Sequence, residues 1–453
     1  MTPAIHALPQ VGEPPAGPPL WLPLAFLAQA ALWLWLGAIA MTVVASDLAL
    51  GLTAMPRTFA ATHLFTLGVL GAATLGALHQ FVPVVTGVGL RHPRAAVWAF
   101  WAHGLGVATL VAAMWWWSPR GQLAGWTLLF LAVGLGSWNI LPARRRARQN
   151  GYVAGFVSLA HSALGLGMLV ALVRIGDGLG WWTTWREGQL LAHFHLGWIG
   201  YGTLTVAGIG SKMLPAFLGL AEHADSGAAP PVYRRLGWLL SIGLLALSVG
   251  APFRMAWLTW SGAVLLAAGV ATHLAVLTGY FLRRKPGPLD PSLAAIGGAV
   301  GCYAGAWLLG VGIALVRPAP PRLWTAYGLV AIAGWLTLII VGVMHRIGPR
   351  LMTAFLARRG GGLTLAQRGG QVLDRRLAWG AVVGLTGGLV AETAGVLAGA
   401  GAVVRVGSVL YLIGASLMAA QTVRLVKRAT LGPSASPPLR PTSGPWPPRR
   451  AAP

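Results

Sequence analysis

The side chains that could do chemistry in this chain are histidines set in apolar sequence. His63, His79, His103, His161, His193, His195, His273 and His345 lie within long hydrophobic runs, whereas His6, His92 and His223 fall in connections and read as solvent-exposed. An imidazole in hydrocarbon is costly unless it binds a metal, relays a proton or is hydrogen-bonded by a neighbouring helix. Each of the eight is therefore a candidate ligand or relay, with a plain structural hydrogen bond as the alternative. Glu392, in GGLVAETAGV, is the only carboxylate well inside an apolar run. Burial of its ionised form is expensive, so it reads either as a proton-relay residue or as a hydrogen-bonded structural one.

The spacing of these residues shows a repeat. HLFTLGVLGAATLGALHQFVP from His63, HLGWIGYGTLTVAGIGSKMLP from His195 and LVAIAGWLTLIIVGVMHRIGP from Leu329 align without a gap. Glycine holds the sixth place (Gly68, Gly200, Gly334) and the fourteenth (Gly76, Gly208, Gly342). An amide or cation holds the eighteenth (Gln80, Lys212, Arg346), and proline ends each copy (Pro83, Pro215, Pro349). Histidine recurs at the first place as His63 and His195 and at the seventeenth as His79 and His345, where the second copy has Ser211. Self-similarity at a fixed interval marks a repeat architecture. The glycines read most simply as sites of close helix packing, and the prolines as helix terminators.

The elements that must position these residues are membrane helices. The chain is 56% hydrophobic and only 9% charged, far from the composition of a soluble globule. Twelve apolar stretches are each long enough to cross a core of about 30 Å: 21–45, 58–86, 95–117, 122–141, 151–173, 188–218, 234–253, 257–282, 291–316, 323–350, 376–402 and 404–427. The repeated motif falls on the second, sixth and tenth, which divides a membrane domain of 21–427 into blocks of four helices at about 21–141, 151–282 and 291–427. The expected fold is thus all-α and integral to the membrane, with twelve transmembrane helices in three pseudo-symmetric four-helix arcs. A Pro-rich N-terminus (1–20) and a basic, Pro-rich tail (428–453) read as disordered cytoplasmic segments.

The formal charge of +24 is a topology signal rather than a nucleic-acid footprint. Lys and Arg concentrate in the connections after even-numbered helices and in the tail, as in Arg144, Arg145 and Arg146 or Arg283, Arg284 and Lys285. The positive-inside rule then puts both termini in the cytoplasm. Trp115, Trp116, Trp117, Trp181, Trp182, Trp257 and Trp324 gather towards the opposite face, as an interfacial belt would. The single cysteine, Cys302, excludes an intramolecular disulfide, and the lack of CxxCH excludes covalently attached heme.

Twelve helices in three arcs, with histidines in ATHLFTLG and AHFHLGWIG at the starts of the second and sixth, resemble subunit I of the heme-copper oxidases. The related nitric oxide reductases, the cbb-type subunit and, more distantly, the NnrS membrane proteins share the likeness. The resemblance implies that His63 is an axial ligand of a b-type heme. It also implies that His195, or its neighbour His193, serves the active-site metal, copper or non-heme iron. His193 and His195 are some 200° apart around a helix, and the repeat register favours His195 as the inward one. His79 and His345 share a depth on equivalent helices and could hold a second heme, because bis-histidine iron takes imidazoles from opposite sides. His273, deep in the eighth helix, is a further candidate metal ligand. Two departures from the family pattern stand out: the seventh helix, LGWLLSIGLLALSVGA, carries no histidine, and Tyr327 and Leu329 stand where the tenth helix would carry two. Tyr327 joins Glu392 as a candidate for a proton path.

The resemblance implies an oxidoreductase of a bacterial cell membrane that carries electrons or handles a small gas, O2 or NO, at a histidine-ligated heme. A cytochrome or quinol would be the electron donor and the lipid bilayer the medium; no nucleic-acid partner is implied, and a homo-oligomer is left open. Dioxygen reduction by the standard route is not expected without the missing histidines. The alternative class is a transporter, or a heme- or metal-handling protein, whose histidines carry protons or ions. A third reading is a scaffold that keeps the fold without the cofactors.

Overall fold

The computed structural model describes residues 17–147, 150–183, 186–220, 230–358 and 373–431; His6, His223, most of the N-terminal segment and the tail beyond residue 431 lie outside them. Among the described residues the chain is helical throughout, with no strand. The long rods are α1 (Trp21–Val43), α2 (Pro56–Thr86), α3 (Pro93–Trp115), α4 (Pro119–Ile140), α5 (Gly151–Gly178) and α6 (Arg186–His195, continuing through Leu196–Thr203 and Leu204–Phe217). They are followed by α7 (Pro231–Gly250), α8 (Ala256–Leu282), α9 (Pro291–Leu315), α10 (Pro321–Leu329, continuing through Val330–Leu336 and Thr337–Arg358), α11 (Arg375–Ala398) and α12 (Gly401–Leu431). Eleven of them are long and apolar enough to cross a membrane; α6 is outside that set. Its His193, His195, Tyr201, Ser211 and Lys212 make it a more polar rod.

Local chemistry explains the element ends. Proline opens α2, α3, α4, α7, α9 and α10, where its missing N–H is not needed. Ser118, Asp290 and Asp374 cap the starts of α4, α9 and α11 with side-chain oxygens that accept backbone N–H groups. Left-handed Gly87 and Gly399 close α2 and α11. Large apolar side chains such as Trp98, Trp116, Trp238 and Trp257 face outwards, as suits rods bathed in lipid.

Packing displays the repeat directly. The glycine at the sixth place lets each central rod touch the first helix of its own block. A Cβ at Gly68 would lie 2.7 Å from Trp33 Cβ in α1, one at Gly200 2.6 Å from Ala163 Cβ in α5, and one at Gly334 2.8 Å from Cys302 Cβ in α9. The fourteenth place repeats the contact one storey along, with Gly76 on Phe26, Gly208 on Phe156 and Gly342 on Ile296. Both glycine columns therefore serve close helix packing. In each block the last two helices, α3 with α4, α7 with α8 and α11 with α12, pair as adjacent neighbours. The central rods α2, α6 and α10 also touch one another pairwise.

The terminal prolines do not end the helices. Pro83 lies inside Ala72–Thr86, Pro215 inside Leu204–Phe217 and Pro349 inside Thr337–Arg358. Each removes a single donor near the end of its rod, and α10 continues for two more turns because its flanking residues are good helix formers. The eighteenth place has a specific use in the third copy. Arg346 sends Nη1 to Asp290 Oδ2 at 2.5 Å and Nη2 to Phe217 O at 3.1 Å. It thereby joins the start of α9 to the end of α6, a cation placed where helix carbonyls lack partners. Replacing Arg346 with Met should cost about 1.5 to 3 kcal/mol, the range for hydrogen bonds to charged groups, read as a lower unfolding temperature of the detergent-solubilised protein.

Candidate functional site

The first place of the repeat builds the polar layer between the central rods. His63 ends the first segment of α2 and its Nδ1 lies 2.7 Å from Phe59 O. A carbonyl can only accept, so Nδ1 carries the hydrogen and Nε2 presents a lone pair. His193 on α6 is fixed in the same way by Gly167 O of α5, at 3.0 Å. The two rings face each other across the α2 and α6 interface with centroids 6.1 Å apart and planes inclined by 26°. Neither Nε2 has a hydrogen-bond partner among the described residues. An ion held between two imidazole nitrogens at about 2 Å from each keeps the ring centroids about 6 Å apart, so this pair has the separation and the tautomers that shared ligation needs.

His195 is differently employed. Its Nδ1 donates to Leu191 O at 2.9 Å, which leaves Nε2 to accept from Tyr327 OH at 3.1 Å. Tyr327 in turn packs against Phe194, Trp198 and Trp324. The register argument favoured His195 as the inward ligand. The structure brings His193 to His63 and spends both nitrogens of His195 within the protein, because the residue that replaces histidine on α10 is a tyrosine whose hydroxyl reaches it.

Immediately beyond these histidines all three central rods widen into π-helix at the same register: Leu64–Gly71, Leu196–Thr203 and Val330–Leu336. Such segments leave carbonyls misaligned with the regular ladder. Thr203 Oγ1 bonds Trp198 O at 3.0 Å and Thr337 Oγ1 bonds Ile332 O at 2.9 Å, each five residues back. The equivalent residue in α2 is Gly71, and there His103 of α3 reaches across to Leu67 O at 3.0 Å; its other nitrogen meets Gln29 Oε1 at 3.2 Å. His103 thus has a structural role. The seventh place then ties rod to rod: Tyr201 OH lies 2.5 Å from Thr74 Oγ1 of α2, and Trp335 Nε1 donates to Thr203 Oγ1 of α6 at 3.1 Å.

The remaining candidates are dispersed. His79 donates from Nδ1 to Leu75 O at 2.7 Å and lies beside Phe26 of α1. His161 of α5 donates to Val157 O at 2.8 Å and packs on Tyr201. Both leave a buried Nε2 unpartnered, and the histidine in electrostatic reach of His79 is His161. His345, the expected partner of His79, instead lines a small cavity between α1, α10 and α12 with neither nitrogen bonded. His273 is buried against Tyr303 and Trp335, with Nδ1 unpartnered. Glu392 is fully buried and its Oε1 accepts from Ser408 Oγ at 2.9 Å, while Oε2 has no partner. It sits in the α11 and α12 pair and is hydrogen-bonded to neither His195 nor Tyr327. Among the described residues no group of three or more His, Cys, Asp or Glu converges as a metal site, so the three-histidine copper set of the oxidase pattern is not formed from them.

Comparison with protein-family models finds no match to this chain, and comparison with curated proteins finds none. The geometry therefore carries the functional argument. The sequence pointed to the histidines but not to the residues that organise them: Tyr201 and Trp335 occupy the seventh place of the repeat, a column without a shared residue type, and Thr203 and Thr337 the ninth. The hydroxyl at the ninth place in two copies was the available signal. Thr203→Val should leave Trp198 O and Trp335 Nε1 buried without partners and cost about 1 to 3 kcal/mol. Thr127→Val, in an exposed position on α4, should shift the unfolding temperature of the solubilised protein much less.

Proposed function

We propose that this chain is a multi-pass membrane redox protein that holds a heme iron between His63 and His193 and passes electrons through it. The observation that carries the reading is the facing pair of imidazoles, each fixed through Nδ1 to a backbone carbonyl and each with Nε2 unclaimed. Metal-binding histidines characteristically donate their second nitrogen in this way, which sets the tautomer and the ring direction. Heme supplies a one-electron iron centre. The chain contributes the two imidazoles, a surrounding of apolar side chains that lowers the local dielectric, and rigid rods that keep the ligands from reorganising. With both His63 and His193 holding the iron, the chain would support electron transfer rather than chemistry on O2 or NO, which needs a vacant position on the metal.

In this reading α6 is a twelfth membrane-spanning helix, tolerated despite its polar residues because it is enclosed by the other rods. The basic connections support an orientation with both termini in the cytoplasm, here of a bacterial cell. A cytochrome or quinol is the class of donor that a buried one-electron centre requires. Loaded with copper or another imidazole-binding ion in place of heme, the same pair would make a metal-handling protein, and the experiment separates the two. Purified protein should show a reduced-minus-oxidised heme spectrum and a b-type pyridine hemochrome. His63→Ala and His193→Ala should each abolish or shift the Soret band, and His195→Ala should leave its position unchanged. Metal without hemochrome would assign the pair to an ion, and hemochrome untouched by the His63→Ala, His193→Ala double change would sink the proposal.

A further inference from the structure

Glu392 takes no part in the histidine layer, yet the rods enclose it completely, with 0% of the residue exposed. Close packing makes the enclosure: a Cβ at Gly407 of α12 would lie 2.8 Å from Glu392 Cα, so a small residue there lets the two rods meet. Among the described residues no ion pair joins Glu392 to a cation. The titratable groups beside it are Tyr411 of α12, whose hydroxyl donates to Ala333 O at 3.0 Å, and Cys302 of α9. Thr42 of α1 and Thr393 bring hydroxyls without charge. The short helix Ala45–Leu50, which packs on both rods, carries Asp47, and α12 carries the exposed Arg405.

The hydrogens around Ser408 decide what Glu392 carries. Ser408 Oγ lies 2.9 Å from Glu392 Oε1 and 2.9 Å from Val404 O. A hydroxyl has one hydrogen and a carbonyl can only accept. With the Ser408 hydrogen on Val404 O, Oε1 must supply the hydrogen of its own contact, which a carboxyl does only as the acid. An ionised Glu392 would have no more than a share of that one hydrogen, with Oε2 bare. A buried ion so poorly served is far costlier than a neutral acid. We propose that Glu392 is a proton-binding site within the membrane domain, a neutral carboxylic acid that donates through Oε1 to Ser408 Oγ and exchanges its hydrogen with water at the α11–α12 turn. That turn is near: Glu392 lies six residues before the Ala398 end of α11, about 9 Å at 1.5 Å per residue. Val404, next in the hydrogen-bonded series, is in the first turn of α12. The site shares no residue with the His63 and His193 pair and does not depend on the reading of that pair.

The test is infrared spectroscopy of the purified full-length protein at neutral pH, in H2O and in D2O. The wild type should show a carboxylic C=O band that is missing from Glu392→Gln, persists in His63→Ala and moves to lower frequency in D2O. Ser408→Ala, which removes the acceptor, should raise its frequency. Dicyclohexylcarbodiimide, which reacts with the acid rather than its anion, should mark Glu392 in peptides of the wild type, a readout that needs no variant. That reaction moves the acid hydrogen to one carbodiimide nitrogen, bonds the carboxyl oxygen to the central carbon and ends as an N-acylurea, so it needs no co-reactant. If Glu392→Gln removes a carboxylate band instead of a carboxylic one, Glu392 is an ion and the proposal fails. It fails equally if the C=O band ignores D2O and the carbodiimide leaves Glu392 unmarked, because the acid is then sealed and structural.

Discussion

Hydrocarbon offers no water to a stray peptide group, and that single constraint governs how the three central rods are built. A continuous α-helix meets it residue by residue. Yet α2, α6 and α10 each depart from α-geometry at one level, and the departure is tolerated because partners for the displaced carbonyls are supplied. Thr203 and Thr337 supply them from within their own rods, and His103 does so from α3. Two mechanisms for one problem, at the fourth place of the repeat in two copies and the fifth in the other, show that the widened turn belongs to the repeat rather than to any one copy. The paired glycines act on the same rods from the other side, pressing each against the first helix of its block.

Much of this fold could be read from residues. Apolar length located the rods to within a few residues, apart from the Arg358 end of α10, where Pro349 suggested a stop and the helix runs on. The glycine columns announced the close contacts that Gly68, Gly200 and Gly334 make. The π-segments were not legible: LFTLGVLG, LGWIGYGT and VAIAGWL are apolar all round, so periodicity carries no sign of a changed pitch. A hydrogen-bond register has no signature in hydrophobic pattern when every face of the helix is buried.

The neighbours of the named histidines were not legible. His63 was singled out from sequence and stands in the polar layer. That His193 rather than His195 lies beside it needed the third dimension, because the residue that engages His195 is Tyr327, 132 residues further along the chain. His79 and His345 share a repeat position, yet sequence equivalence does not bring them together: one sits beside Phe26 and near His161, the other in a methionine-lined recess of α10 and α12. Pseudo-symmetry fixes where a backbone runs. It leaves each copy free to surround the same position with different side chains.

The shared level of the widened turns has one more implication. A π-turn inserts residues without adding a full helical turn, so everything after it is rotated about the rod axis relative to everything before it. Because all three central rods do this at one height, the molecule is divided into two storeys whose inward faces are set independently. The imidazole pair belongs to one storey and the methionine recess to the other. Change in the residues of either can proceed without re-aiming its neighbour, so side chains at one level can be replaced while the contacts of the other stay as they are.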